Sequence, residues 1–140
     1  MPTDPAATTE APQGPPALRV VAMPRDTNPY GAIFGGVILS YIDQAGFVEA
    51  RTHGAHRWVT VAVDRVEFHA PVFVGDIITC RTRTLKTGTS SVTVEVCVEA
   101  ERYMKGETVH VTSAAITLVS VDAQGKPIPF SSPPSVDARA

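Results

Sequence analysis

Residues 35–53 read GGVILSYIDQAGFVEARTH. The stretch has no proline and is too long for a single strand, so it predicts a helix that begins at Gly35 and ends near His53. Val37, Ile38, Leu39, Tyr41, Ile42, Ala45 and Val48 cover most of its circumference, which predicts burial on more than one side. On a wheel of about 100° per residue, Gly36, Ser40, Asp43 and Gln44 fall on one narrow polar stripe. Asp43 is the costly member, because a carboxylate taken out of water must be paired, hydrogen-bonded or protonated.

Working outward, ALRVVAM (residues 17–23) is a short apolar run stopped by Pro24 and predicts a first strand, followed by the loop PRDTNPYG. Beyond the helix, WVTVAVDRVEF (58–68) reads as extended and HAPVFVGD (69–76) as a turn-rich connection. IITCRTRTLK (77–86) and SSVTVEVCVEAE (90–101) predict a hairpin around Gly88, with Val92, Val94, Val96 and Val98 alternating in period two. TVHVTSAAITLVSVD (108–122) supplies a last strand. One strand, one long helix and four further strands predict an α+β fold in which an antiparallel sheet of about five strands wraps a single helix.

The limits on function come from size and charge. A chain of 140 residues forms one domain with one core. Residues 1–16 and 131–140 have little to bury and read as disordered tails, which leaves 17–130 as the folded unit. A net charge of −2 with no basic cluster argues against nucleic acid and against a membrane surface. The N-terminus has no basic and apolar signal pattern, and no apolar run reaches membrane-span length, so a cytoplasmic location is expected. Cys80 and Cys97 are the only cysteines. Aligning the apolar faces of their strands puts them on opposite sides of the sheet, so reduced thiols are expected.

For Asp43 a structural reading is available, a carboxylate satisfied by backbone or by a neighbouring cation. Upstream residues offer a chemical one. Gly35 and Gly36 open the helix, where first-turn N–H groups carry the positive end of the dipole and can be approached closely, a candidate oxyanion site. Asn28 precedes Pro29 in the loop and brings an amide that both donates and accepts, and it reads equally as a turn residue or cap.

The pattern of Asn28, Gly31, Ile33, Phe34, Gly35 and Gly36, with Asp43 seven residues on, resembles the acyl-CoA thioesterases of the hotdog fold, in particular their YciA-like and brain-type acyl-CoA hydrolase branch. WVTVAVDRVEFHAPVFVGD, KTGTSSVTVEV and ITLVSVDAQGKP extend the likeness over residues 17–130. Val37 departs from the tryptophan frequent after the second glycine, and His69 from a frequent arginine. The resemblance implies hydrolysis of fatty acyl-CoA to free acid and coenzyme A, in a homodimer assembled further into a hexamer of three dimers or a tetramer. It implies Asp43 as general base, or as nucleophile, facing Asn28 of the partner subunit, with Gly35 and Gly36 stabilising the oxyanion. Ser40, one turn before Asp43, would support the carboxylate, and Phe34, Tyr41, Phe47 and Phe68 would cap the acyl tunnel. Arg83, Lys86, Arg102 and Lys105 are candidates for the coenzyme A phosphates, and Ser90 and Ser91 in the hairpin turn for its pantetheine or nucleotide; each also reads as an ordinary surface residue. No metal and no cofactor beyond coenzyme A as part of the substrate are implied. A non-catalytic acyl-CoA-binding module of the same fold, or a hotdog dehydratase, is the alternative. The four histidines lack the dehydratase pattern.

Overall fold

The computed structural model describes residues 10–135. In chain order it contains β1 (Leu18–Val21), one 3-10 turn (Pro24–Asp26), α1 (Gly35–Arg51), β2 (Arg57–Asp64), β3 (Ile77–Thr87), β4 (Ser91–Glu101) and β5 (Thr108–Val121). The strands form one sheet in the order β1-β3-β4-β5-β2, with every pair antiparallel. β2 therefore does not pair with its neighbours in sequence but crosses to the far edge beside β5. The sheet curls around α1, which is the α+β hotdog arrangement expected.

Alternation along β4 does most of the work in placing the core. Val92, Val94, Val96 and Val98 are wholly buried on the inner face, where they meet Ile38, Ile42, Ala45 and Ala50 of α1. In register with them, Ile116 pairs with Val94 and Leu118 with Val92. Gly46 lets the helix lie close to β5, since a Cβ there would stand 2.7 Å from Cγ2 of Ile116.

The helix was expected to be buried on more than one side. Within a single protomer it buries one, and Leu39, Phe47 and Val48 remain exposed. β2 is likewise an edge strand whose Val59, Val61 and Val63 are exposed. An eight-residue edge with unpaired backbone and exposed valines lying beside an apolar helix face is a surface made for pairing.

Some boundaries move. The helix stops at Arg51, where Thr52 turns its hydroxyl back to the Glu49 carbonyl at 2.6 Å. The expected extended run 58–68 breaks after Asp64, because Arg65 takes a left-handed conformation (φ 56°) that no strand continues. Cys97 pairs in register with Arg81 and Cys80 with Val98, so the two thiols lie on opposite faces, and both are free and buried.

Residues 1–9 and 136–140 of the expected tails lie outside the described residues. The described parts make defined contacts past the 17–130 limits. Pro12 is buried, and the Glu10 carbonyl accepts from Arg83 at 3.1 Å. Ser135 N–H donates to the Ala55 carbonyl at 3.1 Å, and its hydroxyl lies 2.8 Å from Nδ1 of His56. His56 is buried and needs partners for both ring nitrogens, the second being the Phe130 carbonyl at 2.9 Å. Holding those partners draws the chain beyond Phe130 onto the fold.

Candidate active site

Asp43 projects from the middle of α1 toward β2, where Oδ1 accepts a short hydrogen bond from the Thr60 hydroxyl. One carboxylate oxygen is thereby fixed, which orients the group and leaves Oδ2 open to a water. The expected support from Ser40 is not made. Its hydroxyl instead accepts from Nε2 of Gln44 at 3.1 Å, because residues one turn apart on the same exposed stripe reach each other first. Asp43 and Thr60 open onto a cavity of about 540 Å³ whose other walls are Gln44 and the apolar Phe47, Val48, Trp58 and Val59.

Asn28 is held by its own loop. Its Oδ1 accepts from the N–H groups of Tyr30 (2.8 Å) and Ala32 (3.1 Å), which closes the Asn-Pro-Tyr-Gly turn. Gly31, at φ 86°, supplies the left-handed residue this turn requires. Both acceptor bonds use the carbonyl oxygen, so the Nδ2 amide protons are free to face a ligand. Immediately downstream, Phe34 opens α1 with no side chain capping the first turn. The backbone donors of the loop include Phe34 and Val37 but not Gly35 or Gly36. A Cβ on Gly36 would meet nothing within 4 Å, so there is open space beside this residue at the start of the helix. Asn28 and Gly35 line a second cavity, of about 420 Å³, together with Ile38, Phe68 and His69.

The two cavities are separate. Asp43 lies seven residues beyond Gly36, which on a helix is nearly the same face but about 10 Å further along the axis. One protomer therefore offers two half-sites: an amide and free N–H groups at the start of α1, and a carboxylate two turns below, beside the edge strand.

The remaining sequence candidates do not gather there. Phe34 is half exposed at the helix entrance. Arg83 is on the outer face of the sheet, ion-paired to Glu95. Lys86 lies near the end of β3, Ser91 opens β4 and Ser90 sits in the turn between them. That turn is tied to the far end of the molecule, since Thr89 accepts from Phe130 N–H (3.1 Å) and Phe130 packs on His53, just past the C-terminus of α1. In one protomer the length of α1, about 25 Å, separates it from Gly35.

Two residues that tie the helix carrying Asp43 to the sheet escaped the sequence reading. Thr60 is the polar break among the valines of WVTVAV, and its period-two spacing from Trp58, which puts both on one face of the strand, was the available signal. Glu49 accepts from Thr82 (2.8 Å) and Thr84 (2.7 Å), and Thr84 also bonds His53 Nε2 (2.8 Å), tying the C-terminal half of α1 to β3. It stands about a third of a turn off the polar stripe, so helical periodicity alone gave no sign of it.

The family model described as "Thioesterase superfamily" matches residues 30–107. The chain is 38% identical over 125 residues to the acyl-CoA thioester hydrolase YciA of Escherichia coli (strain K12), covering 87% of this chain and 95% of that one. Among solved structures, it is similar to a hexameric hotdog fold thioesterase of Campylobacter jejuni, at 49% identity and a TM-score of 0.79, covering 84% and 90% of the two chains. A hexameric thioesterase from Yersinia pestis gives 42% identity and a TM-score of 0.81, covering 87% and 99%.

Proposed function

The chain belongs to the thioesterase superfamily, and on that footing we propose that it hydrolyses the thioester of fatty acyl-CoA to free acid and coenzyme A, with each active site shared between two copies of the chain. The observation that carries the sharing is the division of the site residues between two cavities. Asn28 and the Gly35–Gly36 N–H groups come as one unit from one protomer, and Asp43 with Thr60 from the other. β2 pairing with β2 of a second copy buries the exposed valines and the apolar side of α1, and brings each Asp43 toward its partner's helix entrance.

In this reading a water held at Oδ2 of Asp43 loses a proton to the carboxylate as its oxygen attacks the thioester carbonyl carbon. The developing oxyanion is received by the partner's Gly35 or Gly36 N–H, reinforced by the start of the helix, and the Asn28 amide positions the carbonyl or the water. The tetrahedral adduct collapses with loss of the coenzyme A thiolate, a leaving group that needs no strong acid. No metal or further cofactor is called on. The apolar wall of Phe47, Val48, Trp58 and Val59 beside Asp43 suits an aliphatic acyl chain. By analogy with the hexameric relatives, three such dimers make a hexamer.

Thiol release from a panel of acyl-CoA substrates tests the reaction, and its absence across the panel removes the proposal. Complementation tests the shared site. Asn28→Ala and Asp43→Ala are each expected to be nearly inactive. Unfolding and refolding them together in equal amounts regenerates about a quarter of the wild-type activity, because half of the dimers are mixed and each mixed dimer has one intact site. No recovery on mixing would place both residues in one protomer's site.

A further inference from the structure

We propose that Trp58 is a specificity-determining residue, a fixed stop that limits the acyl pocket to short straight chains; the inference rests on the thioesterase reading above and narrows the substrate class of that same site. The apolar walls of the cavity at Asp43 lie on one side of the carboxylate. Phe47 and Val48 follow Asp43 along α1, while Trp58 and Val59 precede Thr60 along β2. Both pairs lie toward the same end of the molecule, because the indole Nε1 of Trp58 donates to the Gly54 carbonyl, just past the C-terminus of α1, at 2.9 Å. An acyl chain leaving a thioester carbonyl at Asp43 therefore runs between α1 and β2 toward Trp58. Of the aromatic residues expected to cap the acyl tunnel, Phe47 lines this cavity, whereas Phe68 lines the one at Asn28, Tyr41 packs against the core and Phe34 stands at the helix entrance.

The backbone sets the length of this groove. Trp58 and Thr60 share one face of β2 and stand two residues, about 7 Å, apart. Phe47 stands about 6 Å beyond Asp43 on the helix. An extended hydrocarbon advances about 1.3 Å per carbon–carbon bond, so about five bonds lead from the level of Asp43 and Thr60 to the indole. The ring thus meets about the sixth carbon, counting the carbonyl as the first, and a longer chain must bend or leave the groove. Volume does not relax this limit. Phe47, Val48 and Val59 are exposed, so much of the 540 Å³ lies toward the open side where the second copy is to bind, not beyond Trp58.

A stop must also be unable to turn aside, and Trp58 is held on several sides. It is 6% exposed, and its one polar group is already bonded to Gly54, so the ring offers the pocket only apolar surface. The His56 ring meets it edge-on at 6.2 Å between centroids, and the Phe130 ring lies 6.0 Å away. These supports are themselves tied down. Both ring nitrogens of His56 are bonded, to the Ser135 hydroxyl and the Phe130 carbonyl. Phe130 also packs edge-on against His53, whose Nε2 lies 2.8 Å from the Thr84 hydroxyl. None of His56, Phe130 and Gly54 lines the cavity, so Trp58 stands between the groove and the contacts that fix it. In a close-packed cluster of this kind a ring cannot swing to admit further methylenes without displacing its neighbours.

Two measurements on the full chain test the stop, and the first needs no substitution. Trp58 is the only tryptophan, so its fluorescence reports contact with the chain. Saturating S-hexyl-CoA, a thioether with no carbonyl to hydrolyse, is expected to shift the emission, and S-ethyl-CoA to leave it unaltered. Equal responses, or none to the hexyl compound, would overturn the proposal. The second is kcat/KM for acyl-CoA from butyryl to decanoyl. Each methylene that gains apolar wall adds about fourfold, so the wild-type values are expected to rise as far as hexanoyl and no further. In Trp58→Val the groove lengthens, and the octanoyl-to-hexanoyl ratio is expected to rise about tenfold. Trp58→Leu, which leaves a smaller void, is expected to raise it about fourfold; far-ultraviolet circular dichroism checks that each variant is folded. An unchanged ratio in a folded variant, or a wild-type rise that continues to decanoyl, would overturn the stop and leave the thioesterase reading standing. A wild type that cleaves no acyl-CoA removes that reading, and this inference with it.

Discussion

Replacing Gly46 by alanine tests the packing of α1 on the sheet, on which the position of Asp43 depends. The added Cβ would stand 2.7 Å from Cγ2 of Ile116, 3.3 Å from its Cδ1 and 3.5 Å from Cδ1 of Leu118. Favourable carbon contacts lie at about 3.5–4.0 Å, so the first is an overlap of about 0.8 Å or more. Ile116 is wholly buried and β-branched, and Cγ2 cannot swing aside without moving β5 or losing the preferred rotamer. Overpacking of this kind costs about 1–3 kcal/mol. Against it stands the gain in helix propensity from glycine to alanine, about 1 kcal/mol. The steric term wins, and the net loss is about 1 kcal/mol for alanine and larger for Gly46→Val, which adds two methyls and recovers less propensity. Trp58, the single tryptophan, is buried and reports unfolding by its fluorescence. At a urea dependence of about 2 kcal/mol per molar, the Gly46→Ala midpoint falls by about 0.5 M at equal protein concentration. A midpoint equal to or above that of the wild type would refute the close-packing account.

Three further outcomes follow from particular contacts. Thr60→Val removes the hydroxyl that fixes Asp43; kcat is expected to fall about tenfold with KM little changed, and Thr60→Ser to restore most of it. Glu49→Ala leaves the Thr82 and Thr84 hydroxyls without their acceptor, and a loss of about 1.5–3 kcal/mol is expected in urea unfolding. Burial, with a smaller contribution from the Cys97 charge, pushes the Cys80 thiol up from its ordinary 9.0 to about 12. Burial is also the main cause raising Cys97. The unfolded thiols ionise first as pH rises, so the stability they contribute is complete below about pH 9 and is lost progressively toward pH 12. Unfolding midpoints across that window should fall less steeply in Cys80→Ala, and iodoacetamide at pH 8 should label both thiols only after unfolding, as read by mass spectrometry.

The elements of this fold were legible where side-chain period and chain punctuation agreed. β4 alternates valines without interruption, and α1 runs from a glycine pair to its end with no proline, so both were placed to within two residues. What escaped depended on tertiary geometry. Nothing in WVTVAVDRVEF marks Arg65 as left-handed, and nothing in SSPPS marks Ser135 as the partner of a buried histidine. Arg83 reads as a free cation until the strand pairing sets it opposite Glu95.

The sharing of the site between two subunits, which the resemblance implies, has a physical reason in this chain. Asn28, Gly35, Gly36 and Asp43 fall within sixteen consecutive residues, and proximity in sequence invites a single cluster. Helix geometry forbids it: two turns of α1 hold Gly36 and Asp43 about 10 Å apart, too far for both to touch one reacting carbonyl. A helix can present an electrophile-stabilising terminus and a base two turns away to the same substrate only if another helix supplies one of them. The exposed valines of β2 and the open side of α1 give a second copy a place to bind beside Asp43. The costly carboxylate and the unburied apolar surface thus have a common explanation, since in the proposed enzyme the pairing that buries the valines also completes the site.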